Sequence, residues 1–444
     1  MHRSFTQHIG VINTSKNSKK ASYSTRLSIL TQYYPPDYAA TGQLIQELAD
    51  GLRDRGMKVH IFTGQPGYAF GQKDAPVVEE HHNLSIRRSR TTRFLSQRIR
   101  GKAINGLIFC LRSALHLLKK ASRGDVLLVT TAPPFLPLLG YLAHICFGVP
   151  YVCLIYDLYP DVAVELNVVS RNHRLVKFWQ QINRAVWRNA KSVIVLSPTM
   201  KQRVLDQCPE IGDRISVIHS WANPRHIVPI PKQDNWFAHQ HNLVQKFCVL
   251  YSGNMGRCHD ANTILDAARY LKDEPIQFVF IGNGAKYQAC QEEAMAEGLS
   301  NIMFLPYQDK ECLPYSLTSA DLSLVSLSPG MEGLIAPSKL YGILAAGRPV
   351  AAICEGHSYL REMLDEGGCG EAFDNGDGQG LAEFILSLAA NRDRAEAMGR
   401  RGRRYLEEHF TPECIAEQYA DVLAVQPELQ LKLNGGKVIR FKEF

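Results

Sequence analysis

Short apolar strands alternate with amphipathic helices along this chain, in two series separated by one polar stretch that contains three prolines. In the first series the predicted strands cover residues 27–31, 58–63, 125–130, 150–156, 192–196 and 214–219. In the second series they cover residues 247–252, 277–281, 301–305, 321–325, 349–353 and 370–373. Strands that alternate with helices form parallel sheets with helices on both faces. The pattern therefore predicts an α/β protein with two doubly wound, Rossmann-like domains that face each other across a cleft.

Breaks in this pattern give the predicted domain boundaries. The first domain covers residues 27–221, a linker covers 222–246, the second domain covers 247–410, and a final helix over 411–425 is expected to cross back to the first domain. The first 26 residues hold five basic and no acidic residues and indicate a disordered or non-native tail. Residues 426–444 are interpreted as a second tail.

Positive charge is concentrated in one internal segment. Residues 81–123 hold eleven Lys and Arg and no acidic residue, in a chain whose formal net charge is +7. Between Gln97 and Lys120 apolar residues recur at steps of three and four, which predicts a basic amphipathic helix. The stripe consists of Ile99, Ala103, Ile104, Leu107, Ile108, Leu111, Leu115 and Leu118.

Three interpretations of this helix are open. Its apolar stripe could pack on the sheet of the first domain, as in any α/β protein. The stripe and its charges could instead bind an anionic membrane surface. A nucleic-acid interface is the third reading, but the segment contains only the aromatic residues Phe94 and Phe109 and no binding motif, so we expect no nucleic-acid partner.

Several common catalytic motifs are missing from the sequence. There is no Gly-x-x-x-x-Gly-Lys-Ser/Thr phosphate loop, no Gly-x-Ser-x-Gly elbow and no Asp-x-Asp pair. The eleven cysteines are never closer than seven residues, which excludes Cys-x-x-Cys metal and redox motifs. The sequence therefore predicts neither a metal site nor a cofactor.

Three loops at the carboxyl ends of predicted strands could bind an anion. Gly42 opens the helix after the first strand, although a plain helix start is the favoured explanation of this glycine taken alone. The loop after residue 252 has Gly253 and Gly256 for a tight turn and Arg257 and His259 as a possible diphosphate clamp, with a solvated arginine as the alternative.

The third loop is the most specific. It combines Glu332 and Gly333 with Pro337, Ser338 and Lys339 at the start of a helix. The helix N–H groups and the lysine would form an anion site, and the glutamate could bind hydroxyl groups of a sugar or ribose. A purely structural loop rarely combines these features.

Six motifs occur in an order typical of one family. They are Tyr33 to Pro36 with Gly42, Tyr156 to Asp161, Ser252 to Asn254, Ile281 to Gly284, Phe304 to Tyr307, and Pro337 to Lys339 with Ala345 to Val350. On these motifs the chain resembles retaining glycosyltransferases of the GT-B fold, in the large family-four group. It is most similar in character to bacterial transferases of capsule, O-antigen and exopolysaccharide assembly, including the N-acetylfucosaminyltransferase-like branch.

The resemblance implies a nucleotide-sugar donor held by the second domain and an acceptor held by the first. It assigns Asp157, Asp161 and Glu332 to the reacting sugar. It assigns the donor to Gly42, Gly253, Asn254, Arg257, His259, Gly282, Gly284, Pro306, Tyr307, Gly333, Ser338 and Lys339. The family pattern has two glutamates eight positions apart, and this chain has a different residue at both of the aligned positions. The first aligns with Leu334, two residues after Glu332, and the second aligns with Gly342.

The resemblance further implies a metal-independent reaction with retention of configuration, in which a hexosyl or N-acetylhexosaminyl group moves from a nucleotide sugar, with UDP the expected nucleotide. The acceptor would be a glycan or a polyprenyl-linked intermediate of cell-surface polysaccharide synthesis, at the cytoplasmic face of the membrane. A nucleotide-sugar 2-epimerase or a phosphorylase on the same fold is the alternative, because fold alone does not determine function.

Overall fold

The computed structural model describes residues 25–37, 39–66, 75–89 and 99–424, without the side chains of residues 99, 100, 102 and 103. Both predicted tails lie outside these ranges, except for residues 25 and 26, where the first strand begins. No helix in the described ranges combines the length and the apolar character that crossing a bilayer requires.

The first domain is built on an eight-stranded sheet. Its strands are β1 (Arg26–Leu30), β2 (Lys58–Thr63), β3 (Val78–His81), β4 (Leu84–Arg88), β5 (Val126–Thr130), β6 (Tyr151–Ile155), β7 (Ser192–Val195) and β8 (Ile215–Val217). Their order is β3-β4-β2-β1-β5-β6-β7-β8, and only β3 pairs antiparallel. The sequence analysis missed the hairpin of β3 and β4, which turns at Asn83 with a φ of 57°.

The second domain has a six-stranded sheet in which all neighbouring strands are parallel. Its strands are β9 (Phe247–Asn254), β10 (Ile276–Asn283), β11 (Ile302–Leu305), β12 (Leu322–Ser326), β13 (Val350–Ile353) and β14 (Gly370–Phe373). The order β11-β10-β9-β12-β13-β14 reverses direction between β9 and β12, just as the first sheet reverses between β1 and β5. The predicted fold class of two doubly wound domains is confirmed, and each reversal marks a ligand-binding crevice in such sheets.

Helices cover both faces of each sheet. Those of the first domain are α1 (Ala40–Arg53), α2 (Ile99–Leu117), α3 (Pro137–Phe147), α4 (Asp161–Glu165), α5 (Arg174–Asn189) and α6 (Pro198–Gln207). The later ones are α7 (Trp236–Gln240), α8 (Asn262–Tyr270), α9 (Tyr287–Ala296), α10 (Leu313–Thr318), α11 (Lys339–Ala345), α12 (Tyr359–Gly367), α13 (Gly378–Ala390), α14 (Arg392–His409) and α15 (Pro412–Leu423). Central strands such as β5 and β6 are buried along their whole length, which is why they contain continuous apolar runs.

The last helix, α15, packs on α1 of the first domain. Its buried face includes Ile415 and Tyr419, which join the apolar core beneath α1. Gly51 permits this approach, since a Cβ there would lie 2.7 Å from the Cβ of Ala416. Lys191 holds the far end of the helix, where its Nζ donates to the carbonyls of Val422 and Ala424 at 2.8 and 2.6 Å.

The segment between the domains is folded against the second one. Phe237 and Leu243, both fully buried, belong to the core of that domain. Lys232 is also buried, and its Nζ donates to Asp321 Oδ2 and to the carbonyl of Lys246, both at 2.7 Å. The polar stretch 222–246 is therefore anchored by a buried ion pair as well as by apolar contacts.

We expect Lys232→Met to lower the free energy of unfolding by about 3 kcal/mol, because it leaves the largely buried carboxylate of Asp321 with only the more distant Arg392, 4.0 Å away, as a cation. Arg400→Met is the matched control, since Arg400 pairs with Glu396 on the protein surface and such pairs contribute about 0.5 kcal/mol. Urea denaturation of the two variants provides the comparison. Equal stability of both variants would contradict a stabilising role for the buried pair.

Candidate active site

A cavity of about 540 Å³ lies between the two domains. The first domain contributes residues that follow β1 and β6, and the second contributes residues that follow β9, β11 and β12. The carboxyl ends of both sheets therefore meet at this cavity, as expected for doubly wound domains. Of the predicted site residues, the cavity is lined by Asp157, Gly253, Asn254, His259, Ser338 and Lys339.

Lys339 is the most unusual group in the cavity. Its Nζ has almost no solvent-accessible surface and no hydrogen-bond partner among the described residues. The ammonium lies 3.6 Å from the ring centroid of Tyr251, so a cation–π contact replaces part of its hydration. Burial lowers the pKa of Lys339 to about 7, because the charged form loses water without gaining an anion.

The end of β9 and the loop that follows it contribute Gly253 and the neutral ring of His259 to the cavity lining. Gly253 has a φ of 116°, and a Cβ added there would point at the side chain of Lys339, 3.9 Å from Nζ. His259 donates from Nδ1 to the carbonyl of Ser326 at 2.8 Å. Burial, together with the nearby Lys339 charge, lowers the pKa of His259 to about 3. Its ring is therefore neutral, and Nε2 remains as a hydrogen-bond acceptor rather than a cationic clamp.

Arg257 does not join this group. Its side chain is exposed, and it is not among the residues that line the cavity. The predicted pairing of Arg257 with His259 around a diphosphate is therefore not what the loop provides. Lys339 is the cation that lies next to Gly253 in the cavity lining, and Lys310 of the same domain also lines the cavity.

Glu332 is turned away from the cavity and into the contact between the domains. Its side chain is 1% exposed, and Oε1 accepts from the hydroxyl of Thr199 at 2.6 Å, at the start of α6. Arg203 donates from Nε to the Glu332 carbonyl at 3.1 Å. Gly333 lies against the same helix, where a Cβ would approach the Thr199 carbonyl to 2.7 Å. Oε2 of Glu332 has no partner among the described residues.

Only one of the two predicted aspartates of the first domain reaches the cavity. Asp157 lines it and is open to the water of the cleft, but surrounding protein atoms reduce its hydration and raise its pKa to about 6. Asp161 instead accepts from the side-chain amides of Gln180 and Gln207, both at 3.3 Å. Those amides belong to α5 and α6, so Asp161 holds helices together rather than facing a reacting group.

The remaining predicted residues are not part of the cavity lining. Gly42 is buried where α1 approaches the loop after β1, and a Cβ there would come within 3.1 Å of Tyr33. Gly282 lets β10 pass β9, since a Cβ would lie 2.2 Å from the Gly253 carbonyl oxygen. Three further residues, Gly284, Pro306 and Tyr307, are also absent from the lining. In that region the cavity wall is formed by Lys310, Leu313 and Leu317.

Sequence reasoning missed a polar group on the first-domain side. Glu47 lines the cavity from α1, and its Oε2 accepts from the indole N–H of Trp221 at 2.8 Å. Burial raises the pKa of Glu47, and the charge of nearby Lys310 partly opposes that shift. Asn223 and His226 line the same side. Glu47 carried no sequence signal, because it occupies an ordinary position of an amphipathic helix, 174 residues before its partner.

Gly342 leaves an apolar wall where the family pattern has a carboxylate. A Cβ at this position would contact Leu317 and Ile227 at 3.6 and 4.0 Å, which are ordinary distances. Space alone therefore does not explain the glycine. A metal ligand set does not replace the missing carboxylate, since the described residues contain no cluster of three or more His, Cys, Asp or Glu side chains that could hold an ion.

Comparison with known proteins agrees with this architecture. The chain is 24% identical to "Probable glycosyltransferase WbjE" of Pseudomonas aeruginosa over 404 residues, which cover 89% of this chain and 96% of the relative. It is 22% identical to "O-antigen chain mannosyltransferase C" of Escherichia coli, with 89% and 97% covered. The solved structure of Anabaena Alr3699/HepE in complex with UDP-glucose superimposes with a TM-score of 0.65 at 15% identity, over 90% of this chain and 99% of that one.

Family models match both halves of the chain. The family described as "Glycosyl transferase 4-like domain" matches residues 40–221, and the one described as "Glycosyl transferases group 1" matches residues 232–405. The two matches together cover most of the sequence and coincide with the two domains around the cavity. The chain belongs to the group 1, family-four-like glycosyltransferases of the GT-B fold.

Proposed function

We propose that the protein is a retaining glycosyltransferase that moves a hexosyl or N-acetylhexosaminyl group from a UDP-sugar to a glycan or lipid-linked acceptor in cell-surface polysaccharide synthesis. The observation that carries this proposal is the unpaired, buried ammonium of Lys339 at the base of the interdomain cavity. A buried cation without a partner favours an incoming anion, because that anion offsets the lost hydration. The names of the two bacterial relatives and the UDP-glucose complex of HepE support the substrate class.

Lys339 would act on the leaving group. Transfer breaks the bond between the anomeric carbon and a phosphate oxygen, and the electron pair leaves with the nucleoside diphosphate. A fixed ammonium in a cavity with little water stabilises the negative charge that develops there. Gly253 and Ser338 also line the cavity, and we assign their main-chain N–H groups to the diphosphate.

Retention would follow from attack on the face that the diphosphate leaves. The acceptor hydroxyl oxygen bonds to the anomeric carbon, and its proton passes to a departing phosphate oxygen. We assign Asp157 and the neutral ring of His259 to hydroxyl groups of the transferred sugar, since both line the cavity and His259 lies near Lys339. Glu47, on the opposite wall, is assigned to the acceptor side.

The acceptor would be a polyprenyl-linked or glycan intermediate, and the protein would act peripherally at the inner face of the membrane. The basic segment 81–123, which holds eleven Lys and Arg and no acidic residue, supports this part of the proposal. A 2-epimerase remains the competing activity on the same fold. The two activities differ in whether the sugar leaves the nucleotide for an acceptor.

A mass-spectrometric screen of UDP-, GDP- and ADP-sugars tests the proposal. We expect nucleoside diphosphate release from a UDP-sugar, and Lys339→Ala should lower kcat/KM by ~10²-fold or more, because a charge-assisted donor is lost from a dry cleft. Arg257→Ala is the matched control, since that arginine is exposed and outside the cavity. Its effect should stay within about twofold.

Other outcomes of the screen would identify a different site or reaction. Equal losses of kcat/KM in the Lys339 and Arg257 variants would indicate that the diphosphate also contacts the exposed loop that carries Arg257. A UDP-sugar isomer formed without release of UDP would identify an epimerase instead. Nuclear magnetic resonance of the product reports its anomeric configuration, and inversion would contradict the proposed attack.

Donor binding should depend on pH through Lys339. The pKa of its ammonium is lowered to about 7 in the free protein, and a bound diphosphate raises it again. Above pH 7 the free protein holds a neutral amine, so donor binding takes up a proton and weakens as pH rises, by up to about tenfold per pH unit. The diphosphate diester of a UDP-sugar does not itself titrate near neutral pH.

Isothermal titration calorimetry in two buffers with different ionisation enthalpies measures this proton uptake at pH 8. Lys339→Met should abolish both the uptake and the pH dependence, at weaker overall affinity. Binding by the unaltered protein that is independent of buffer and pH would show that Lys339 keeps its charge in the free state.

Activity should survive EDTA. Lys339 supplies the positive charge at the leaving group in this mechanism, so we expect less than a twofold change in kcat after chelation. A readout of UDP release before and after EDTA, with Mg²⁺ added back, decides the point. Loss of activity that Mg²⁺ or Mn²⁺ restores would overturn the assignment of the leaving-group charge to Lys339.

A further inference from the structure

Helix α2 presents most of the described part of the apolar stripe to solvent rather than to the sheet. Ile108 is half-buried, and the side chains of Ile99 and Ala103 lie outside the described ones. Leu107, Leu111 and Leu115 are 64%, 62% and 57% exposed, and Ile104 and Leu118 extend the stripe at both ends. The core side of the same helix is formed by other residues, namely Phe109, Cys110 and Leu117. Packing on the domain core therefore does not account for the exposed residues of this stripe, and the first of the three interpretations of the helix does not hold for them.

Two neighbouring helices continue the apolar surface. Helix α3 packs between α2 and α5 on the same side of the sheet. It exposes Leu142 and Ile145, and α5 exposes Leu175 and Phe178, the last two at 67% and 60%. More than half of the large apolar side chains that are exposed in the described part of the chain fall between residues 104 and 178. Isolated surface leucines are ordinary, but a shared face of this extent marks an interaction surface.

The helices of this face contain no acidic residue. Helices α2, α3 and α5 have neither Asp nor Glu, although α2 and α5 carry several Lys and Arg, of which Arg188 pairs with Glu210 from outside these helices. Arg174 and Lys177 on α5 are exposed, as are Lys119 and Lys120 just after α2, and none of the four has an ion-pair partner among the described residues. Ordinary solvated faces mix both signs of charge. We call this surface, made of α2 with residues 118–120, α3 and α5, the acid-free face.

An aromatic row connects the acid-free face with the cavity. Phe135, just before α3, is 38% exposed, and its ring lies 4.8 Å from that of Trp179 on α5. Trp179 in turn stacks on Tyr159 at 6.2 Å, and Tyr159 lines the interdomain cavity. Aromatic side chains of this kind favour the boundary between apolar and aqueous regions.

We propose that the acid-free face binds the surface of an anionic lipid bilayer and that this orients the mouth of the cavity toward acceptors held in that bilayer. Leucine and phenylalanine side chains insert among the acyl chains, while lysines and arginines meet anionic headgroups. A second copy of the chain is a poorer occupant, because an isologous contact brings the same unpaired cations together. The role of the face in presenting an acceptor rests on the proposed transferase function, but lipid binding itself does not.

Vesicle sedimentation tests the proposal with the full-length protein. We expect binding to phosphatidylcholine vesicles that contain phosphatidylglycerol, weaker binding at high salt, and little binding to phosphatidylcholine alone. The variant L107Q/L111Q/L115Q should bind at least ~10-fold less, because three exposed leucines no longer insert. The variant R174E/K177E should lose about 10-fold or more through charge reversal.

Matched controls lie on the second domain. Y270Q/M295Q removes two other exposed apolar side chains, and K272E/R404E reverses two other exposed charges. Both control variants should bind vesicles like the unaltered protein. All variants change exposed side chains, so each should unfold at an unchanged temperature.

The outcomes separate the occupants. If the control variants lose as much vesicle binding as the acid-free-face variants, binding depends on net charge or on total exposed apolar surface rather than on this face. That result would overturn the proposal. A dimer in size-exclusion chromatography that L107Q/L111Q/L115Q disperses, without vesicle binding, would assign the face to a second copy. Calorimetric binding of a UDP-sugar is measured in parallel. Vesicle binding without donor binding would support lipid binding by the acid-free face and contradict the proposed transferase function.

Discussion

Parallel strands in this chain leave only one place for polar chemistry. Both faces of each sheet are covered by helices, and strands such as β5 and β6 are buried throughout, so polar side chains there would lose hydration without a partner. At the carboxyl ends the chain must turn, and turns present unpaired backbone groups and side chains to a ligand. Because the two sheets face each other through these ends, the constraint that stabilises the folds also creates the cavity.

The charges in the cavity favour the binding of an anionic ligand, because no carboxylate of the protein pairs with Lys339 among the described residues. Burial lowers the pKa values of Lys339 and His259 and raises that of Asp157, so each group is pushed toward its uncharged form. A diphosphate would reverse this for Lys339, because it supplies the missing countercharge. The nearest carboxylate that could have paired with it from the same loop, Glu332, is instead held by Thr199 of the other domain. The domain contact thus keeps a competing anion out of the cavity.

The sequence predicted the fold well because its information is local. Strand and helix periods identify most elements. The β3–β4 hairpin escaped because its short strands are partly exposed and polar, and helix α7 escaped because it lies in the stretch interpreted as a linker. Lys339 and Gly253 were also identifiable, because a glycine-rich loop after a strand has few structural explanations. The directions of Glu332, Asp161 and Arg257 were not, because contacts with distant helices or with solvent determine them. Periodicity likewise could not tell which side of α2 faces the core.

The orientation of α2 relates the fold of the first domain to the acid-free face. A helix that covers a sheet needs only one apolar stripe, and Phe109 and Leu117 supply it. A second, outward stripe would be lost readily in a freely soluble enzyme, since exposed leucines favour association over solubility. Its combination with acid-free neighbouring helices is consistent with an enzyme whose acceptor is confined to a surface. The row from Phe135 through Trp179 to Tyr159 joins this face to the cavity, so a bilayer bound there, as we propose, would lie at a fixed distance from the active site.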